Sequence, residues 1–235
     1  MPESEMGRGR FLSSTGMGLA TALASTAAGA AVASGAGPPM AAHTPDEALE
    51  LLEEGNERFV EGKPKCGPQT ARIGELRNGQ SPFAIVLGCS DSRVPIETIF
   101  DQVPGNVFVV RVAGNFLNDD GLGSIEYSVA NLKSKLILVL GHENCGAVSA
   151  AVGYVKDGMA QPGHIQNLVT AIEPAAKATK GAPGDWIANA VAENVKLNVA
   201  AMTARSTIVA DAVKSGNLKV SGGVYSLHTG KVRIL

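Results

Sequence analysis

The stretch FAIVLGCSDSRVP, Phe83 to Pro95, decides the fold. Its first five residues are a continuous apolar run, short for a helix and without the alternation of a strand that has one wet face. Such a run reads as a strand buried on both sides, the kind found in parallel sheets covered by helices. Two further runs match it, Val107 to Val112 (VFVVRV) and Leu136 to Leu140 (LILVL). Each is followed by a glycine or turn residue and then a helical pattern, at Ile96 to Asp101, Leu122 to Leu132 and Cys145 to Val155. Strands alternating with helices imply an α/β fold in a single domain.

Before the first run, Thr44 followed by Pro45-Asp46-Glu47 has the cap, the first-turn proline and the acids of a helix start, and this helix runs to about Phe59. A Pro/Gly/Lys loop and a short helix lead into Gly79-Gln80-Ser81-Pro82. After the third strand the chain reads as helical from about Pro162 to Lys177 and from about Asp185 to Ser215. It closes with Val220 to Leu227, a His228-Thr229-Gly230 turn, and Lys231 to Ile234, a hairpin that sets an antiparallel strand at one edge. The expected sheet therefore has about four parallel strands and one antiparallel edge strand, flanked by helices.

Twenty basic against twenty-two acidic side chains give a net charge of -2, with no basic stripe. That balance excludes nucleic acid and an anionic membrane surface as electrostatic partners and suits a small neutral or singly charged ligand. With 45% hydrophobic and 18% charged residues the chain has a globular profile.

The first forty residues are of another kind. Met6 to Leu12 (MGRGRFL) is basic, and Met17 to Ser34 is built almost wholly from small residues ending in Ala31-Val32-Ala33. This is the pattern of a secretory signal peptide, so residues 1–41 are read as a leader and 42–235 as the folded domain. Arg8-Gly9-Arg10-Phe11-Leu12 resembles a twin-arginine signal with a glycine in place of one arginine. The expected location is periplasmic or extracellular. A disordered alanine/glycine tail on a cytoplasmic protein is the alternative. No later stretch approaches the roughly 18 apolar residues of a membrane span, so the mature chain is expected not to insert.

Chemistry concentrates at strand ends. Cys89 follows the first strand, and Gly141-His142-Glu143-Asn144-Cys145 follows the third. Ligand sites in open parallel sheets form outside the carboxyl ends of the strands, so Cys89, His142 and Cys145 can converge although more than fifty residues separate the first from the others. Cysteine, histidine and cysteine are a zinc set, and three protein ligands leave the fourth tetrahedral position open, as in catalytic sites. Cys145 should sit at a helix N-terminus, where the dipole favours its thiolate. Asp91 and Arg93 have two readings: an ion pair that caps the next helix, or a carboxylate held ionised by a guanidinium and aimed at the metal's fourth position. In the second, Asp91 either accepts a hydrogen bond there or ligates the metal itself and closes the site. His43, His164 and His228 read as exposed bystanders and Cys66 as a free loop thiol. Three cysteines in a chain this long do not form a disulfide scaffold.

Cys89-Ser90-Asp91-Ser92-Arg93-Val94-Pro95 with Gly141-His142-x-x-Cys145-Gly146 resembles the β-class carbonic anhydrases. Gly55-Asn56-Glu57-Arg58-Phe59, Val109 to Asn115 (VVRVAGN), Ser124-Ile125-Glu126-Tyr127 and Gly223-Val224-Tyr225 match in the same order. The likeness runs from about residue 44 to the C-terminus. It implies one Zn2+ per chain on Cys89, His142 and Cys145, with Asp91 and Arg93 as the catalytic dyad beside it. It implies Gln80, Phe108 and Tyr127 as substrate-pocket residues near an interface between copies, in a homodimer or tetramer. Relatives with an allosteric bicarbonate site carry a tryptophan where this chain has Val86, with companions at Arg111 and Tyr225. Its absence implies the plant-like, open-site type. The implied reaction is reversible hydration of carbon dioxide to bicarbonate and a proton by attack of zinc-bound hydroxide. Alternatives are hydrolysis of carbon disulfide or carbonyl sulfide, and a non-catalytic zinc protein closed by Asp91. Two thiolates make zinc a weaker acid than three imidazoles do, so activity is expected to rise toward alkaline pH.

Overall fold

Strand β1, Ala84–Gly88, is fully buried and lies between β2, Val107–Arg111, and β3, Leu136–His142, parallel to both. Its alternate residues feed two cores. Ala84 and Val86 pack on one side with Leu136, Leu138 and Leu140, while Ile85 and Leu87 pack on the other with Ile137 and Val139. Burial of both faces is why β1 and β3 show no polar alternation, whereas β2, at the sheet edge, is mostly half-buried and ends in the exposed Arg111. A computed structural model of the chain describes residues 41–66 and 70–235. The expected leader, residues 1–41, lies outside the described residues except for its last position.

The sheet has five strands in the order β2-β1-β3-β4-β5. Strand β4, Lys219–Tyr225, runs parallel to β3, and β5, Val232–Ile234, is the antiparallel edge. This is the expected mixed sheet, four parallel strands and one reversed, with helices on both faces.

Helix α1, Pro45–Val60, begins with a full capping box: Thr44 accepts from the Glu47 N–H and the Glu47 carboxylate accepts from the Thr44 N–H. Asn56 locks α1 to the sheet, donating to the carbonyls of Ile99 and Gly230 at 3.0 and 2.9 Å and accepting from the Val232 N–H at 2.8 Å. Short helices α2, Thr70–Leu76, and α3, Ile96–Ile99, flank β1. Helix α4, Asp119–Tyr127, continues as a π-helical turn at Ser128–Leu132, where the sequence pattern suggests one uninterrupted helix.

Helix α5, Gly146–Asp157, follows β3, and α6, Ile165–Ala178, carries Pro174 within it. The long helix expected from Asp185 to Ser215 is two: α7, Trp186–Arg205, and α8, Thr207–Lys214. Ser206 breaks it by taking an extended backbone and accepting the Val209 N–H on its own hydroxyl, a cap that competes with helix continuation. Helix α7 lies close on the sheet because β3 and β4 offer glycines: a Cβ at Gly141 or Gly222 would meet Val195 methyls at 2.8 and 2.6 Å.

Candidate metal centre

Parallel pairing of β1 and β3 sets Gly88 beside Leu140, so the chain leaves both strands at the same sheet edge. Cys89 is the first residue past β1, His142 the last of β3, and Cys145 the residue preceding α5. All three are buried, and one ligand atom from each lies within 4.8 Å of the others. Cys145 is the N-cap of α5 without a side-chain cap bond, so its sulfur is free to face the cluster at the positive end of a helix.

The ring of His142 is oriented by its neighbour. Nδ1 lies 2.8 Å from the Glu143 carbonyl. A carbonyl only accepts, so Nδ1 carries the proton and Nε2 presents a lone pair. That Nε2 is fully buried and has no hydrogen-bond partner. A buried nitrogen lone pair facing two sulfurs and left unpaired is costly unless an electron-pair acceptor fills the gap. The donor set and spacing fit Zn2+: bonds of about 2.0–2.1 Å to nitrogen and 2.3 Å to sulfur can be made by ligand atoms that lie within 4.8 Å of one another.

Electrostatics agree. A hydrogen bond from the Cys145 thiol lowers the pKa of Cys89 despite burial, helped by His142 and by the Gly114 N–H, whose nitrogen is 3.2 Å from Sγ. The Cys145 thiol is pushed up in return by that same bond and by burial. A divalent cation bound between the two sulfurs would favour the thiolate at both. Burial would lower the pKa of His142, but the Cys89 thiolate outweighs it and raises the value.

Asp91 stands beside this cluster, its Oδ2 3.9 Å from His142 Nε2. Arg93 holds both carboxylate oxygens, Nε on Oδ1 at 2.9 Å and Nη2 on Oδ2 at 2.7 Å, and its own N–H adds a third bond at 2.9 Å. The Arg93 guanidinium thereby holds the Asp91 carboxyl well below the usual carboxylate range. The carboxylate caps its own turn and not helix α3, whose N-cap is Pro95.

Arg111, read from sequence only as a companion to the missing tryptophan, clamps the loop. Its Nε and Nη2 donate to the carbonyls of Cys89 and Asp91 at 2.9 and 2.7 Å. Gly114 was visible only as part of a motif. Its φ of +86° and the close packing of Ile172 and Ala147 against it require a glycine in the turn whose N–H points at Cys89 Sγ. Gln80 and Tyr127 are exposed in the single chain and Phe108 is half-buried on β2; among the described residues no hydrogen bond joins these three to the cluster. Cys66 is a free thiol, as read, but it is engaged: it donates to the Asp101 carbonyl, and burial with that neighbour pushes its pKa up to about 11. His43, His164 and His228 are exposed.

The carbonic anhydrase family model matches residues 84–232. "Carbonic anhydrase 2" of Mycobacterium tuberculosis is 40% identical over 189 residues, covering 80% of this chain and 91% of that protein. The chain belongs to the β-class carbonic anhydrases. A Coccomyxa β-carbonic anhydrase solved with acetazolamide is 29% identical, with a TM-score of 0.62 over 83% of this chain and 87% of that one. One of two tetrameric β-carbonic anhydrases from Sordaria macrospora is 25% identical, with a TM-score of 0.63 over 80% and 97%. The β-carbonic anhydrase chain thus carries its family's fold and a cysteine–histidine–cysteine cluster able to hold a metal ion.

Proposed function

We propose that this β-carbonic anhydrase catalyses CO2 + H2O ⇌ HCO3− + H+ with one Zn2+ held by Cys89, His142 and Cys145. The observation that carries the proposal is the buried, unpartnered His142 Nε2 facing two sulfurs, with an ionised carboxylate 3.9 Å away. Zn2+, when bound, supplies Lewis acidity that makes water a nucleophile near neutral pH, a role for which carbonic anhydrase is the standard example.

The chain's own residues do the rest. Glu143 fixes the tautomer of His142, and Arg111 fixes the loop that carries Cys89 and Asp91. Asp91 Oδ2 is the acceptor on the open side of the cluster and orients the reacting water there. Because Arg93 occupies both oxygens of Asp91, the carboxylate is held away from ligation, which supports the open-site type over a closed, non-catalytic zinc protein. Gln80, Phe108 and Tyr127 are proposed to line the substrate pocket. The exposure of Gln80 and Tyr127 in one chain, and the tetrameric Sordaria relatives, support a homodimer or tetramer in which a second copy covers them.

We also propose that residues 1–41 are a leader that exports domain 42–235 to the periplasm or beyond. Among the described residues no helix is long and apolar enough to cross a membrane. Fractionation of expressing cells, with the N-terminus of the mature protein read by mass spectrometry, checks this.

Elemental analysis tests the metal. Wild type should purify with one zinc per chain and Cys89→Ser with much less; equal zinc in both would remove Cys89 from the site. Parallel assays with carbon dioxide, carbon disulfide and carbonyl sulfide should show turnover of the first, and turnover only of a sulfur analogue would replace the proposed substrate.

A further inference from the structure

Helix α7 carries two asparagines, Asn194 and Asn198, that are 2% and 9% exposed. Four residues apart, they lie on one face of the helix. Leucines would fill such buried space without the cost of burying amides. What amides add is direction.

Asn194 Nδ2 donates to the Gly114 carbonyl at 2.8 Å, and Asn198 Oδ1 accepts from the Leu117 N–H at 2.7 Å. Between them, Asn198 Nδ2 donates to the Asn194 carbonyl at 2.7 Å and to Asn194 Oδ1 at 3.1 Å. Both ends of this ladder are backbone groups of fixed polarity, a carbonyl that only accepts and an N–H that only donates. The orientation of each amide is therefore determined. The ladder grips residues 114–117, the turn that follows β2. The N–H of the same Gly114 is aimed at Cys89 Sγ, 3.2 Å from its nitrogen.

We propose that Asn194, braced by Asn198, is a positioning residue for the metal centre, holding the Gly114 peptide so that its N–H stays on the Cys89 sulfur. The inference rests on Cys89 being a metal ligand. It extends the outer shell of that centre through a backbone amide to a helix eighty residues away in sequence. Groups that orient ligands in this way set metal affinity along with the ligands themselves.

The test loads the full chain with 113Cd2+ and labels its glycines with 15N. In wild type the 113Cd resonance should fall in the thiolate range, and the Gly114 amide proton should couple to cadmium across the sulfur. Absence of the thiolate shift would refute the metal assignment; its presence without Gly114 coupling would refute this inference alone. Asn194→Ala should lose the coupling, and its zinc affinity, by chelator competition, should fall about 10–100-fold. Unchanged coupling and affinity would overturn the proposal. Met202→Ala, equally buried on α7 but in another cluster, should lower the melting temperature and leave both readouts intact. If Asn194→Ala does not fold, Asn198→Ala takes its place, with a weakened coupling expected and an unchanged one counting against the brace.

Discussion

Gly114→Ala converts the tight packing of the Gly114 turn against Ile172 and Ala147 into a measurable cost. Gly114 has a φ of +86°, and a Cβ there would meet Ile172 Cδ1 at 2.3 Å and Ala147 Cβ at 3.1 Å. A left-handed backbone costs an L-residue about 1–2 kcal/mol. Ile172 is fully buried, so its methyl has no empty space to enter, and overpacking of this sort costs about 1–3 kcal/mol. Together these give about 2–5 kcal/mol, or roughly 4–20 °C in Tm for a chain of this size. The two contributions separate in a double-mutant cycle. Ile172→Val removes Cδ1 and costs about 0.5–1.5 kcal/mol by itself, but in the presence of Gly114→Ala it relieves the clash and should be neutral or stabilising. Urea denaturation of all four proteins at one fixed zinc concentration measures the cycle, since bound metal adds its own stabilisation. If Ile172→Val costs the same in both backgrounds, or Gly114→Ala lies within about 0.5 kcal/mol of wild type, the close packing inferred here is wrong.

Arg93→Ala frees both oxygens of Asp91 and lets its depressed pKa rise toward the ordinary range. Carbon dioxide hydration should fall about tenfold or more with zinc content unchanged, and the acid limb of the pH profile should move to higher pH; an unmoved limb would mean that Arg93 does not govern Asp91. Asp101 makes stability pH-dependent. Burial alone would raise its pKa, but Arg58 at 2.6 Å and the N–H groups of Lys65 and Cys66 lower it. A depressed carboxyl stabilises the fold above its unfolded pKa of about 3.9 and loses that contribution as pH falls through the folded value. Wild type should therefore exceed Asp101→Asn in stability at pH 7 by more than at pH 3, as read by urea denaturation, and a constant difference would contradict the assignment.

Much of this arrangement was legible in the chain. Three short apolar runs, each followed by a turn residue and a helical pattern, read as parallel strands, and parallel strands deliver Cys89 and His142 to one sheet edge. Of the three, β1 and β3 are covered on both sides and β2 is a half-buried edge. The helix start at Thr44, with its first-turn proline and acids, was equally plain, although the reciprocal bond from Glu47 shows only in the structure. What escaped the reading did so for local reasons. Ser206 ends α7 with its own hydroxyl, and with no glycine or proline at the break the helical pattern runs on through it. The π-helical turn at Ser128–Leu132 leaves no mark in periodicity. Asn194 and Asn198 do not stand out in the helical pattern, because nothing in composition distinguishes a buried amide with a backbone partner from a solvated one. Arg111 was noticed for a site that lacks its tryptophan, and its clamp on the Cys89 loop depends on a strand pairing that a sequence does not print.

In the proposed function, Cys89, His142 and Cys145 form a catalytic metal site kept open by Asp91 and Arg93. Stopped-flow hydration of carbon dioxide by the zinc-loaded domain, from pH 7 to 9, tests it most directly. The expected result is catalysis that rises with pH, because two thiolates leave the metal a weaker acid than three imidazoles would, and that is lost in Cys89→Ser. A wild-type protein that retains its zinc and is inactive over the whole range would contradict the account and leave the metal with a structural role.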